Sequence, residues 1–195
     1  MKLDYIKITV ENGGIMQGGN QSDFSKFIRR SGCGMIAACD MLLYKQGRKN
    51  LTDREYKQFV NANCRSFFYK RRLNLIGVSA HSIVKFLYKQ GYRFRFVPGY
   101  RLNEERLEQL VSESLETDTP VIVRIGLNRK KLPYRLTYTV NGSISQGKLF
   151  WHYITVTGLE NSILTYSSWG AVGEMKISEL KKNFGFMGGI IIPQK

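Results

Sequence analysis

An α+β fold is what this sequence predicts, on two observations. The first half of the chain carries apolar residues at helical spacing, whereas the second half turns to short alternating or β-branched runs, with Asn141-Gly142 set between two of them. Helices followed by strands joined through tight turns place the two kinds of element in separate parts and make the sheet antiparallel. The 195 residues, 43% hydrophobic, suffice for one core, so the chain reads as a single domain over residues 1–195.

In chain order, residues 3–10 alternate as a short or peripheral strand, and residues 13–32, rich in glycine and without periodicity, read as a long loop. Residues 33–44 form a dense apolar helix closed by Gly47. A weaker helix is expected over 53–61 and a stronger one over 80–90, each packing on the first. Then come a strand at 92–97, an amphipathic helix at 103–115 and a β-branched strand at 120–125. Strands at 136–140 and 148–159 flank the Asn-Gly turn, a strand at 162–168 returns after Glu160-Asn161, and a helix at 177–184 leads to a last strand at 189–192.

No apolar run is long enough to cross a membrane, and the first ten residues lack the core of a signal peptide, so a cytoplasmic protein is expected. Three cysteines cannot all pair, and neither their spacing nor the two histidines make a zinc site, so reduced thiols, no metal and no cofactor are expected. The net charge of +15 favours an acidic partner. Its clusters, Arg29-Arg30, Lys70-Arg71-Arg72, Arg129-Lys130-Lys131 and Lys181-Lys182, match no nucleic-acid motif and read as solvated surface. The mixture of aromatic and basic residues at 67–72 reads as core or cleft wall for the same reason.

Cys33 opens the buried helix, where the helix dipole and free N–H groups favour a thiolate, and Gly32 and Gly34 leave the sulfur approachable. Cys39 and Cys64 read as core cysteines. A nucleophilic thiol needs a base, and His152 lies in the strand Trp151-His152-Tyr153-Ile154-Thr155-Val156. His81 begins a helix, where the dipole disfavours an imidazolium, so it is the poorer partner. A two-residue turn at Glu160-Asn161 would put His152 opposite Trp169 and Ser167 on the same face as its orienting partner. A three-residue turn would put Ser168 there instead. Asp40, buried in the first helix, is expected to tie down a neighbouring loop.

The run Cys33-Gly34 with Ala37-Ala38 and Met41-Leu42-Leu43-Tyr44 resembles the nucleophile helix of papain-like cysteine peptidases, the bacterial C39 type in particular. His152-Tyr153-Ile154-Thr155-Val156-Thr157-Gly158 is similar to that group's histidine strand, and Cys precedes His in the same order. Ser167-Ser168-Trp169-Gly170 resembles the papain Asn-Ser-Trp-Gly, which implies Ser167 at the orienting position and Trp169 over the catalytic hydrogen bond. The resemblance implies a papain-like fold, a hydrolase acting on peptide or protein, and an oxyanion glutamine. Gln21 is the first choice for that role and Gln17 the second, both farther upstream than the group usually has it. Two classes stay beside the cysteine peptidase: another acyl-transfer enzyme (deamidase, transglutaminase or acyltransferase), and a non-catalytic module binding an acidic partner.

Overall fold

The computed structural model describes residues 1–68, 77–126, 134–140, 143–149, 151–185 and 187–194. The basic clusters at 70–72 and 129–131, the Asn141-Gly142 turn and the end of the 67–72 stretch lie outside them. The α+β expectation holds. The strands are β1 (Lys7–Thr9), β2 (Ile15–Gln17), β3 (Asn50–Thr52), β4 (Phe94–Pro98), β5 (Val121–Ile125), β6 (Tyr134–Val140), β7 (Ser143–Leu149), β8 (His152–Glu160), β9 (Ile163–Ser168), β10 (Ala171–Lys176) and β11 (Gly189–Pro193). The helices are α1 (Lys26–Ser31), α2 (Cys33–Lys45), α3 (Asp53–Phe68), α4 (Ala80–Lys89), α5 (Glu104–Glu116) and α6 (Ile177–Asn183).

Helix α2 is buried on every side from Gly34 to Tyr44, as a helix without a polar face must be. It ends where Gly47 takes a φ of 72°. Helix α3 starts at a capping box: Thr52 Oγ1 accepts from the Glu55 N–H, and the Glu55 carboxylate accepts from the Thr52 N–H and hydroxyl. Helices α3 and α4 both pack on α2, as their apolar spacing requires.

Eight strands form an antiparallel sheet in the order β4-β11-β5-β8-β9-β10-β6-β7, and β2-β1-β3 form a small separate sheet. The large sheet is covered on both faces. Helix α2 lies against β8 and β5 on one side, and α5 and α6 pack on the other. Two apolar clusters follow from this layering, one around Met35, Leu42, Ile83 and Ile122, the other around Leu107, Val123, Ile154 and Leu180. Among the described residues no helix is long and apolar enough to cross a membrane.

Three expectations need correction. The stretch 13–32 is not one loop, for it contains β2, a 3-10 turn at Gln21–Asp23 and α1; three-residue strands and single helical turns are too short to leave a periodicity. The strand expected over 148–159 is two strands, β7 and β8. Strand β10 was not expected at all: Val172-Gly173-Glu174 looks like a surface segment until its pairing with β9 and β6 supplies the reason for it.

The contact that fixes α2 on the sheet is close. A Cβ at Gly34 would stand 2.9 Å from Tyr153 Cε2, and that ring is buried and tethered by its hydroxyl, which donates to the Val78 carbonyl at 3.0 Å. Gly34→Ala gains roughly 0.5–1 kcal/mol of helix preference, but overpacking a site that cannot yield costs about 1–3 kcal/mol. A net loss of stability is expected in denaturant unfolding, and an unchanged or raised midpoint would contradict the close approach.

Candidate active site

Cys33 is the first residue of α2 and is half-buried; His152 is the first residue of β8 and only 4% exposed. The two line one cavity, together with Gln21, Asp40, Tyr153, Ser167, Ser168 and Trp169. Its inner volume of about 20 Å³ has room for a water-sized group such as a carbonyl oxygen. The structure thus brings Cys33 and His152 together from opposite ends of the sequence. His81 is exposed on α4 and Cys39 is wholly buried, while Cys64 Sγ donates to the Asn61 carbonyl at 3.0 Å. All three cysteines are free.

The partner of His152 differs from the first expectation. His152 Nε2 hydrogen-bonds Ser168 Oγ at 2.8 Å, whereas Ser167 Oγ donates to the Gln17 carbonyl at 2.6 Å. The cause lies in the β8–β9 pairing. Glu160 faces Ile163, so the hairpin turn is Asn161-Ser162, both with positive φ (49° and 60°), one residue later than expected. That displacement alone would have kept Ser167 on the His152 face, because moving a two-residue turn by one position changes the register by two. A β-bulge between Val156 and Gly158 takes one of those two back and turns over every side chain beyond it. Ser167 therefore faces Thr155 and Ser168 falls on the side of His152.

Trp169 stands where the motif implied, its ring stacked on the imidazole with centroids 4.5 Å apart and planes at 27°. Trp169-Gly170 is the turn between β9 and β10, with φ of 52° and 76°. The far side of the indole meets Tyr138 edge-on at 5.3 Å and the backbone of Gly147, where a Cβ would stand 2.5 Å from the ring. The β6–β7 hairpin thus holds the indole against the histidine.

Gln21 reaches the cavity and Gln17 does not; Gln17 lines the neighbouring groove beside Met16 and Gly170. The Gln21 amide nitrogen donates one hydrogen to the Arg29 carbonyl at 2.8 Å, and its Oε1 is buried without a partner among the described residues. Its position is set from behind. Asp40, on α2, accepts from the Gly19 N–H at 3.0 Å and from the Tyr56 hydroxyl at 2.6 Å, so the loop before Gln21 is tied to the nucleophile helix as expected. Gly18 has a φ of 73° and lies so close to Ser167 and Asp40 that a side chain there would meet both.

Burial governs the titration of the pair. It pushes the Cys33 thiol up, against backbone N–H groups of Tyr153, Gly34 and Cys33 itself and the positive charge of Arg124, which favour the thiolate. Burial also holds His152 down at about 3. Both shifts favour the neutral thiol and the neutral imidazole over the ion pair in the resting site.

Sequence reasoning missed Arg124. It sits in β5 opposite Tyr153, is 5% exposed, and lies over the Trp151 ring at 4.4 Å and the Tyr153 ring at 5.8 Å. The available signal was a cation in the apolar run Val121-Ile122-Val123-Arg124-Ile125. Such a residue has to be explained, because an uncompensated buried charge is costly.

No family model and no curated protein matches the sequence. Among solved structures, the chain is similar to a candidate C39-like peptidase from Bacillus anthracis, with 15% identity over 61% of this chain and 60% of that one and a TM-score of 0.38. It is also similar to the peptidase domain of Streptococcus ComA, a bi-functional ABC transporter involved in quorum sensing, with 16% identity over 83% of this chain and 91% of that one and a TM-score of 0.44. The chain spans about 60% of the length of that first structure.

Asp40 makes a test of the loop anchor. Burial raises its carboxyl from 3.8 to about 6. The fold therefore holds the proton more tightly than the unfolded chain does, and the stability this group contributes is fully present below pH 3.8 and lost as pH rises through about 6. Melting temperatures of wild type and Asp40→Asn should show the wild-type advantage shrinking from pH 4 to pH 7, and a constant difference would refute the assignment.

Proposed function

We propose that the protein is a cysteine peptidase acting as a single catalytic domain, with Cys33 as nucleophile and His152 as its base. The observation that carries this reading is the shared cavity, which a helix-start thiol and a strand histidine both line while Nε2 of the histidine is held by Ser168.

As a substrate carbonyl enters, His152 takes the thiol proton and the sulfur adds to the carbonyl carbon, giving a tetrahedral oxyanion. In the protonated state Nε2 donates to Ser168 Oγ, which fixes the ring and stabilises its charge. That hydroxyl is a neutral partner, so it supports an imidazolium less than a carboxylate would. The second amide hydrogen of Gln21 and the N–H of Cys33 are the donors nearest in role to an oxyanion hole. Collapse passes the proton from His152 to the leaving amine, and water then resolves the thioester. Trp169 keeps bulk water off the imidazole, which strengthens each of these charge interactions.

Hydrolysis of a peptide library should disappear with Cys33→Ala and fall at least about a thousandfold with His152→Ala. Ser168→Ala should lower kcat roughly tenfold, the cost of about one hydrogen bond to a charged group. Ser167→Ala should leave kcat within a small factor and lower the melting temperature instead, since its hydroxyl serves the loop. Equal loss of kcat in the two serine variants would remove Ser168 from the machinery. Release of ammonia or incorporation of amine in place of hydrolysis would move the enzyme to another acyl-transfer class, and none of the three activities would favour the binding module.

The resting protonation state has its own signature. Alkylation of Cys33 by a neutral reagent should accelerate about tenfold per pH unit between pH 6 and 8, as for a thiol whose pKa is raised. A rate already level across that range would mean a preformed thiolate–imidazolium pair.

A further inference from the structure

Arg124 favours the Cys33 thiolate by its charge, but its guanidinium takes no part in the proton transfer and its hydrogen-bonding capacity is left over. Its guanidinium is buried between β5 and the Trp151 and Tyr153 rings, and among the described residues no carboxylate pairs with it. Its Nε is buried with no acceptor among the described residues. Aromatic faces attract the charge but accept no conventional hydrogen bond along the guanidinium plane, so the buried Nε–H still lacks an acceptor among the described residues. Arg124 also shares a sheet face with Tyr153, which lines the Cys33 cavity and whose ring edge rests against Gly34, the residue after the nucleophile.

We propose that Arg124 is a carboxylate-binding residue of the substrate cleft, selecting peptides that carry an anionic group close to the bond Cys33 attacks. This rests on the reading of Cys33 and His152 as a peptidase pair. A carboxylate is the group whose two oxygens match the fork of a guanidinium, and the net charge of +15 steers such a substrate toward the protein. Trp151, half-buried above the guanidinium, is the side chain that has to yield for the carboxylate to reach it. The carboxylate comes either from an Asp or Glu side chain or from the C-terminus of the peptide.

The test separates anion binding from mere activation of the thiol. Iodoacetate and iodoacetamide attack the same thiolate, so the ratio of their rates at Cys33, read by mass spectrometry, cancels the thiolate fraction and reports attraction for the carboxylate alone. Relative to the same ratio for glutathione, the wild type should favour iodoacetate about tenfold, the worth of one charge-assisted contact, and Arg124→Met should abolish the preference. A wild-type ratio equal to that of glutathione overturns the proposal without reference to any variant. So does an Arg124→Met protein in which both rates fall together and the ratio stands.

Peptides then identify the source. Glu against Gln beside the scissile bond, and a free against an amidated C-terminus, should differ at least tenfold in kcat/KM in one of the two comparisons, chiefly through KM, and the difference should vanish in Arg124→Met. Equal turnover in both comparisons overturns the proposal. No turnover of any peptide sinks the peptidase reading instead, while the alkylation ratio still judges Arg124.

Discussion

Everything at the candidate site depends on how closely α2 approaches β8. The helix carries the thiol and the strand carries the imidazole, so their meeting is set by the packing of one element on the other, not by local sequence. Gly34 permits that approach, because only an unsubstituted Cα fits against the buried edge of Tyr153. The same ring is held from its other end by the Val78 carbonyl and from its face by Arg124, so it acts as a fixed spacer between helix and sheet. A rigid spacer matters because nucleophile and base must stand within hydrogen-bond reach, and an error of an ångström in the packing would separate them.

A second set of contacts ties the glycine-rich segment to the same scaffold. Asp40 projects from α2 and holds the Gly19 N–H, while Ser167 projects from β9 and holds the Gln17 carbonyl. The segment that delivers Gln21 is therefore clamped by the helix on one side and by the sheet on the other. This accounts for the two glycines at 18 and 19. A Cβ at Gly18 would strike Ser167, and one at Gly19 would strike the Tyr56 hydroxyl that shares Asp40. The serine that the papain-like motif placed beside the histidine thus has a task of its own.

The sequence made the elements with strong patterns legible, and the dyad with them. Helix α2 could be read because it is apolar throughout, and Cys33 because it opens that helix after a glycine-rich stretch, between Gly32 and Gly34; with two histidines in the chain, the base was nearly a matter of elimination. The orienting serine was not legible, since it hangs on a single bulge at Thr157, and a bulge is a property of two paired strands that neither strand announces. Strand β10 and the segment 13–32 escaped for a related reason. Their elements are stabilised by partners distant in the chain, Ile15–Gln17 by β1 and Ala171–Lys176 by β9 and β6, and carry little pattern of their own. Arg124 was visible as a misfit in an apolar strand, yet its meaning required knowing that Tyr153 lies opposite.

The electrostatics of the site bring these threads together. A half-buried thiol and a buried imidazole lining one cavity each resist ionising alone, because each lone charge would lose hydration, and this drives the Cys33 pKa up and that of His152 down. Transfer of one proton between them creates two opposite charges at once, and in a site of low dielectric their attraction offsets much of that desolvation. The burial that quiets the resting pair is therefore compatible with its reaction, provided that something shifts the balance when substrate arrives. A permanent cation near the sulfur does this in one direction, since Arg124 lowers the cost of the thiolate whether or not a ligand is present. Ser168 does it in the other: Nε2–H donates to its Oγ, which leaves the other ring nitrogen free to take the thiol proton, and the bond strengthens once the ring is charged. Among the described residues no carboxylate bonds the His152 ring, so the pair relies on the Ser168 hydroxyl for this, while Asp40 in the same cavity is engaged by the Gly19 N–H and the Tyr56 hydroxyl.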